Sequence, residues 1–302
     1  MNGSVALGVF LLLGSHNDPC LHAVKSVLAA RSYDSVIIRH PFAAPACTAW
    51  HFDGTRSDPS ITIAGESTFA EGVLVRDCHP SPPETPESWT QEDLLYNQAE
   101  AEAALLGWLW GLPCPVIDRM PAWLWYGTQR PVISWGPLLR RCGLPPLDSV
   151  ITDCADEISQ FLSRHGGAAG EQLTGTGNRY LAQEADTQRL TDTARMMPLR
   201  LTELHEGAWR GCVAGPQLVW DDGTPSEARL LDSRLRAFAA AAGLSFVEFI
   251  VTSGETPRIV DVDARPRFGL FGEAAKRAIV EGLVEALTQG WRRVRLCFSL
   301  FA

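Results

Sequence analysis

The first forty residues of the chain contain the pattern that most restricts its fold. An apolar run from Val5 to Leu13 is followed by a polar turn, a segment over 21–30 with apolar residues at helical spacing, and the short β-branched run Val36–Ile38. Buried strand, helix and buried strand in this order are typical of a parallel βαβ unit. Because the first turn is not rich in glycine, it lacks the pattern of a phosphate-cradling loop. The sequence therefore predicts a chain that begins as an α/β protein.

The composition is that of a protein with a sizeable core. The 302 residues are 46% hydrophobic and 20% charged, which excludes a mainly disordered chain. The formal net charge of −9 disfavours nucleic acid and anionic membranes as partners. No apolar stretch reaches the roughly 18 residues that span a bilayer. The eight cysteines are scattered without a CxxC pair, so we expect reduced thiols and a cytoplasmic protein.

The character of the sequence changes near residue 118, which predicts two domains, 1–118 and 119–302. Further strands are predicted in the first domain at 73–75 and 115–118, with a helix over 91–109, and the second domain alternates predicted helices (134–142, 155–165, 227–242 and 273–288) with predicted strands (198–204, 211–220, 245–251 and 258–263). The five glycines of 166–180 predict a loop.

Three carboxylates in the last predicted hairpin are the strongest candidates for chemistry. Glu248 lies in one strand, and Asp261 and Asp263 lie in the next, two residues apart and therefore on the same face. If Glu248 faces them, three negative charges converge, and hard oxygen ligands of this kind suit Mg²⁺. The alternative is an amphipathic edge hairpin whose acidic face is simply solvated. Spacing alone leaves both interpretations open.

Three segments taken together resemble the ATP-grasp fold family. The order of strand, Glu248, turn and strand, followed by Asp-Val-Asp and a proline, is similar to the end of that fold. Residues 203–215 resemble its hinge strand and its Gly-x-x-Arg hairpin, and 138–153 resemble the segment that leads into its nucleotide domain. The resemblance covers about 90–290 and is closest to the peptide-modifying ligases, which include ribosomal peptide maturases and glutamate-adding ligases.

This resemblance implies a fold, a reaction and a set of residues. The fold is α/β, with an N-terminal parallel βαβ domain of the pre-ATP-grasp type and then an ATP-grasp-like α+β domain. The implied enzyme uses ATP and Mg²⁺ to activate a carboxylate as an acyl phosphate, which passes to an amine or hydroxyl of a peptide or amino acid. The hinge acid Glu203 would border the adenine. Arg210 and Arg130 would neutralise the phosphates, and the three hairpin carboxylates would hold the metal.

Departures from the family pattern keep a second function open. The family places two lysines on the nucleotide phosphates, but the only lysines of this chain, Lys25 and Lys276, are not at those positions. Arg130 lies near the first position, and the second falls within 166–180. The usual closing asparagine is Asp263 here. The alternative is a non-catalytic relative that binds a peptide or a partner enzyme.

A cluster of tryptophans supplies a candidate surface for that alternative. Five of the ten tryptophans fall within 108–135, at positions 108, 110, 123, 125 and 135. Aromatic side chains at this density fit either core packing or an exposed surface for a peptide, a second copy of the chain or another subunit.

Overall fold

A computed structural model defines the architecture. It describes residues 8–42, 46–52, 57–76, 89–117, 132–171, 180–253 and 256–298. The predicted Arg130, Trp123 and Trp125 lie outside the described residues. No helix in the described ranges is both long enough and apolar enough to cross a membrane.

The predicted βαβ unit opens the fold. Strand β1 (Gly8–Leu13) and strand β2 (Ser35–Ile38) are parallel and are joined by helix α1 (Pro19–Ala30). The Asp18 side chain caps α1 by accepting the N–H of Cys20 at 2.7 Å. Four consecutive residues of β1, from Phe10 onward, are fully buried. Burial on both faces explains the continuous apolar run in the sequence.

Four more strands complete the first sheet. Its remaining members are β3 (Ala46–Phe52), β4 (Ser57–Ile63), β5 (Glu66–Val75) and β6 (Val116–Ile117), and helix α2 (Gln91–Gly111) precedes β6. The order is β2-β1-β5-β4-β3, with β6 paired to β5. The pairs β1–β5 and β5–β6 are parallel, whereas β3–β4–β5 is antiparallel. The predicted helix 91–109 is therefore confirmed, and the predicted strand 73–75 is the end of β5.

A second, antiparallel sheet follows. Its strands are β7 (Ser149–Thr152), β8 (Ala168–Glu171), β9 (Tyr180–Ala182) and β10 (Leu199–Glu203), in the order β7-β10-β8-β9. The helices of this region are α3 (Val132–Arg141), α4 (Ala155–His165) and α5 (Thr187–Ala194). Leu199 and Leu201 of β10 share a core with α4 and α5.

The prediction of a loop over 166–180 was wrong at its start. Residues 168–171 form β8, which pairs with β10 on one side and β9 on the other. Small residues are needed there because a Cβ on Gly170 would collide with the ring of Tyr180. The composition that normally indicates a loop here permits close strand packing.

The third sheet contains the acidic hairpin. It consists of β11 (Ala208–Ala214), β12 (Gln217–Trp220), β13 (Phe246–Thr252) and β14 (Ile259–Asp263), all antiparallel, in the order β12-β11-β13-β14. Helix α6 (Asp232–Ala242) precedes β13, and helix α7 (Glu273–Phe298) follows β14. The single predicted strand 211–220 is in fact two strands, because Gly215 turns the chain with a φ of 56°.

Helix α7 joins the first and third sheets. Its buried residues Ile279 and Leu283 share one apolar cluster with Phe10 of β1 and Phe246 of β13. At Gly282, the helix approaches the β11–β12 turn so closely that a Cβ would collide with the backbone of that turn. The boundary near residue 118 stays a prediction.

The tryptophan cluster is mostly core where the structure describes it. Trp108 and Trp135 are buried in one apolar cluster that also contains the residues of β13 facing α6. Trp110 is 60% exposed. Core packing is therefore confirmed for Trp108 and Trp135, and an exposed surface that includes Trp110 stays a prediction.

Candidate functional site

Arg210, Glu248, Asp261 and Asp263 lie on one face of the third sheet. Residues directly opposite each other on neighbouring strands point to the same side. Asp263 is opposite Glu248, and Ile250 is opposite both Asp261 and Arg210. The sequence left open whether Glu248 faces the aspartates, and the register shows that it does. Their role as metal ligands stays a prediction.

Glu248 is the most enclosed charged group of this face. Its side chain is fully buried, and its Oε1 accepts hydrogen bonds from the guanidinium of Arg210 and from Nη2 of Arg267 at 2.8 Å. Its Oε2 accepts the backbone N–H of Arg267 at 2.7 Å. Arg210 also lies 5.5 Å from the ring centroid of Phe271. A buried carboxylate requires such partners, because its water shell is lost.

Asp263 is the second buried carboxylate of this face. Its burial raises the pKa of its carboxyl to about 6, and the nearby charges of Glu248 and Asp261 act in the same direction. The backbone N–H of Arg265, at 2.8 Å from Oδ1, opposes this rise only in part. The charge of Arg267, whose Nε is 3.7 Å from Oδ2, also opposes the rise, so the effect of burial outweighs both favourable contacts.

The turn after β14 is fixed by contacts from other elements. The Arg76 guanidinium donates to the carbonyl of Pro266 at 2.8 Å, and the N–H of Gly272 donates to Asp221 at 2.7 Å. Arg76 follows β5 and also pairs with Asp18 at 3.2 Å. The carboxyl edge of the first sheet therefore contacts the turn that adjoins the acidic face. Parallel sheets commonly bind ligands at this edge.

Glu203 lies where the chain passes from the second sheet to the third. It ends β10, and its carboxylate pairs with Arg258, which immediately precedes β14. His165 Nδ1 is 3.6 Å from Glu203 Oε2, and the N–H of Asp148 donates to Oε1 at 3.2 Å. Glu203 is therefore a largely buried acid at the junction of two sheets. Its contact with adenine stays a prediction.

The structure describes only one of the two arginines that are predicted to neutralise the phosphates. Arg210 is in the site, whereas Arg130 lies outside the described residues. Lys25 is on α1 and Lys276 is on α7, where it pairs with Glu273 at 2.8 Å. Strand β8, within the stretch that corresponds to the second family lysine, contains no lysine.

The donor chemistry of the acidic face suits Mg²⁺, but its arrangement does not. Arg267 lies between the two carboxylates, with Nη2 2.8 Å from Glu248 Oε1 and Nε 3.7 Å from Asp263 Oδ2. Over the described ranges, no three or more His, Cys, Asp or Glu side chains are grouped so as to hold a metal ion. A cation therefore fits among these oxygens only after this guanidinium has moved.

Sequence reasoning missed three residues that contact the predicted ones. Arg267 binds Glu248, and both Arg258 and His165 lie against Glu203. Arg267 carried a weak signal, since it lies four residues after Asp263 in a segment rich in arginine. His165 carried none, because it reaches Glu203 only through the packing of α4 beside β10.

This architecture is also found in several proteins of known structure. No family model and no curated protein matches the sequence. A solved structure of the macrocyclase MdnC from Microcystis aeruginosa MRC, bound with precursor peptide MdnA, superposes with a TM-score of 0.76 at 13% identity, over 93% of this chain and 99% of that one. The ATP-grasp ligase PsnB, complexed with precursor peptide PsnA2 and AMPPNP, gives 0.76 at 18% identity over 95% and 99%.

A third similar structure comes from Chryseobacterium gregarium. This RiPP-associated ATP-grasp ligase, in complex with ADP and a leader and core peptide, gives a TM-score of 0.73 at 11% identity over 93% of this chain and 96% of that one. These matches show that the chain has the ATP-grasp fold. The expected fold is therefore confirmed, in the form found in ligases such as MdnC and PsnB.

Proposed function

We propose that this chain is an ATP-grasp ligase that modifies a peptide. The observation that carries the proposal is the buried Glu248 directly opposite Asp263, on a face that also holds Arg210. Several similar structures contain precursor peptides, and some of these also contain ADP or AMPPNP, two of them with Mg. The proposed reaction joins a carboxylate, activated as an acyl phosphate, to an amine or a hydroxyl.

The residues of the candidate site have the following parts in this proposal. Bound ATP with Mg²⁺ supplies the phosphoryl group that activates the substrate carboxylate. Glu248, Asp261 and Asp263 would hold the cation once the Arg267 guanidinium has moved away from them, and Arg210 would neutralise phosphate charge as it develops. Glu203 borders the adenine at the junction of the sheets. Arg130 remains a second proposed phosphate cation.

The peptide is proposed to reach this face from the side of the first sheet. Arg76, after β5, touches the turn that carries Pro266, so the edge of that sheet is next to the acidic face. A substrate lying along this edge has its reactive carboxylate beside the phosphates, and such positioning accounts for much of the catalysis in phosphoryl transfer.

Alanine at both Asp261 and Asp263 should abolish Mg²⁺-dependent nucleotide binding. The double variant loses two oxygen ligands, whereas Asp263→Asn keeps an oxygen donor and should keep binding. Calorimetric titration with AMPPNP and Mg²⁺ measures both variants, and thermal unfolding checks that each is folded. Unchanged nucleotide affinity in a folded double variant would rule out these residues as metal ligands.

A non-catalytic binding protein is the second candidate function. It is favoured by Arg267, which already balances the charge of Glu248, and by the absence of lysine from β8. A protein of this kind would bind a precursor peptide without requiring nucleotide. Peptide binding that persists in the Asp261→Ala/Asp263→Ala variant, together with no nucleotide binding in the wild type, would favour it.

A further inference from the structure

His165 lies between two carboxylates at the junction of the second and third sheets. It is the last residue of α4, and its ring packs on Phe161 with the ring centroids 4.5 Å apart. Its Nε2 is 3.0 Å from Oδ2 of Asp148, and its Nδ1 is 3.6 Å from Oε2 of Glu203. Only the first of these distances is short enough for a hydrogen bond. The two ring nitrogens therefore have different roles.

The two distances assign the proton of the neutral ring to Nε2. An ionised carboxylate only accepts hydrogen bonds, so the nitrogen that binds Asp148 must carry hydrogen. In a neutral imidazole the other nitrogen then carries a lone pair, which gains nothing by approaching Oε2 of Glu203. Protonation of the ring places an N–H group on that side as well. The new donor would close the gap of 3.6 Å to a charge-assisted hydrogen bond.

The two carboxylate oxygens of Glu203 have different partners. Oε1 accepts the N–H of Asp148 at 3.2 Å and pairs with the guanidinium of Arg258. Within the described ranges, no donor is at hydrogen-bond distance from Oε2, which faces Nδ1 of His165. Glu203 is only 8% exposed, and a buried carboxylate oxygen without a donor is costly. Oε2 is therefore suited to a ligand that brings an N–H group.

We propose that His165 is a positioning residue that determines whether Glu203 accepts the amino group of adenine. This inference rests on the proposed function, in which Glu203 borders the adenine. With a neutral ring, Oε2 accepts the amino group of the base. With a protonated ring, Nδ1–H binds Oε2 and the base loses its acceptor. Hypoxanthine has a carbonyl oxygen in place of the amino group, so only the neutral ring lets the site distinguish the two bases.

Four charged groups act on the protonation of this ring. Asp148 and Glu203 favour the protonated form, whereas Arg164, at 3.9 Å from Asp148, and Arg258, which pairs with Glu203, oppose it. The neighbouring turn 184–186 and helix α5 contain the ion pairs Asp186–Arg189 and Asp192–Arg195. Because histidine ordinarily changes its charge between pH 5 and 8, the effect should appear over that range.

The proposal predicts a pH-dependent preference between ADP and inosine diphosphate (IDP), whose base is hypoxanthine. In the wild type with Mg²⁺, ADP should bind about tenfold more tightly than IDP at pH 7.5, and about equally at pH 5.5. The ratio of the two affinities is decisive, because titration of the phosphates or of Asp263 affects both nucleotides alike. In His165→Gln, whose amide still donates to Asp148 but does not titrate, the ratio should be about tenfold at both pH values.

Two further variants are the controls. His22→Gln removes an exposed histidine of α1 and should keep the pH-dependent ratio of the wild type. In Glu203→Gln, the amide can accept or donate, so ADP and IDP should bind about equally at both pH values. Calorimetry measures the affinities, and thermal unfolding checks that each variant is folded. A merely structural role for His165 would give the same ratio in His165→Gln and the wild type at pH 5.5, and this result would overturn the proposal.

Failure of this inference is distinguishable from failure of the proposed function. If the wild type binds neither ADP nor IDP at millimolar concentration, the ligase proposal fails and the inference fails with it. If ADP and IDP bind equally at pH 7.5, the contact of Glu203 with adenine and the role of His165 both fail, while nucleotide binding stands. If the wild type prefers ADP to the same extent at both pH values, only the role of His165 fails.

Discussion

Replacing Glu248 with glutamine should lower the free energy of unfolding by on the order of 3 kcal/mol. The buried carboxylate accepts hydrogen bonds from Arg210 and from both the side chain and the backbone of Arg267. The glutamine amide keeps the shape but loses the charge and places an N–H₂ group against donors. The loss should be at the lower end of that for breaking a buried ion pair, because both guanidiniums retain access to water.

Urea unfolding at neutral pH measures this effect as a lower midpoint with an unchanged slope. The matched control is Glu273→Gln on α7, whose side chain is 82% exposed and pairs with Lys276. This control should leave the midpoint where it is, since exposed ion pairs contribute little. Equal midpoints for Glu248→Gln and the wild type would contradict the conclusion that the buried carboxylate of Glu248 stabilises the third sheet.

The second large expected effect is a loss of folding stability in mild acid, which is caused by protonation of His40. This histidine follows β2, is nearly fully buried, and accepts the N–H of Phe42 on Nδ1 at 3.2 Å. Burial lowers the pKa of His40 from 6.5 to about 4. Its Nε2 has no hydrogen-bond partner within the part of the chain that the structure describes. Protonation therefore places a charge in an apolar setting and puts a second N–H opposite that of Phe42.

The direction of this pH effect on stability depends on whether the folded or the unfolded chain takes up the proton. Between pH 6.5 and about 4, the unfolded chain binds a proton at His40 and the folded chain does not, so stability falls as the pH is lowered. The contribution is on the order of 3 kcal/mol over that range. Above pH 6.5, this residue should have no effect on the pH dependence.

His40→Asn tests this expectation, because its side-chain oxygen still accepts a hydrogen bond but does not titrate. Unfolding free energies from pH 7 down to 4 should fall less steeply in this variant than in the wild type. His22→Asn, at an exposed position of α1, should keep the steep fall. If His40→Asn and the wild type show the same slope, the buried neutral histidine is not the source of the acid sensitivity.

The parts of the fold with a clear period could be predicted from the sequence. The continuous apolar run of β1 predicts a strand buried on both faces, and the two-residue spacing of Asp261 and Asp263 places both on one face. A short connection between the strands then brings Glu248 opposite Asp263 and onto the same face as Asp261. Local pattern and tertiary structure agree in these elements.

The remaining parts depend on contacts between distant residues. Strand β8 was mistaken for a loop because glycine and alanine carry no strand signal, and its place is fixed by β10 and by the ring of Tyr180. Arg267 was missed because its importance depends on a turn that Arg76 and Asp221 hold against the sheet. A sequence pattern of one element cannot contain such information.

The central claim is that the acidic face of the third sheet binds a nucleotide together with a divalent cation. Calorimetric titration of the wild-type protein with AMPPNP, in the presence and absence of Mg²⁺, tests it most directly. We predict binding that requires Mg²⁺, since the proposed ligands Glu248, Asp261 and Asp263 are all acidic and would hold phosphate oxygens only through a divalent cation. No binding at millimolar AMPPNP, or equal binding with and without Mg²⁺, would contradict the claim.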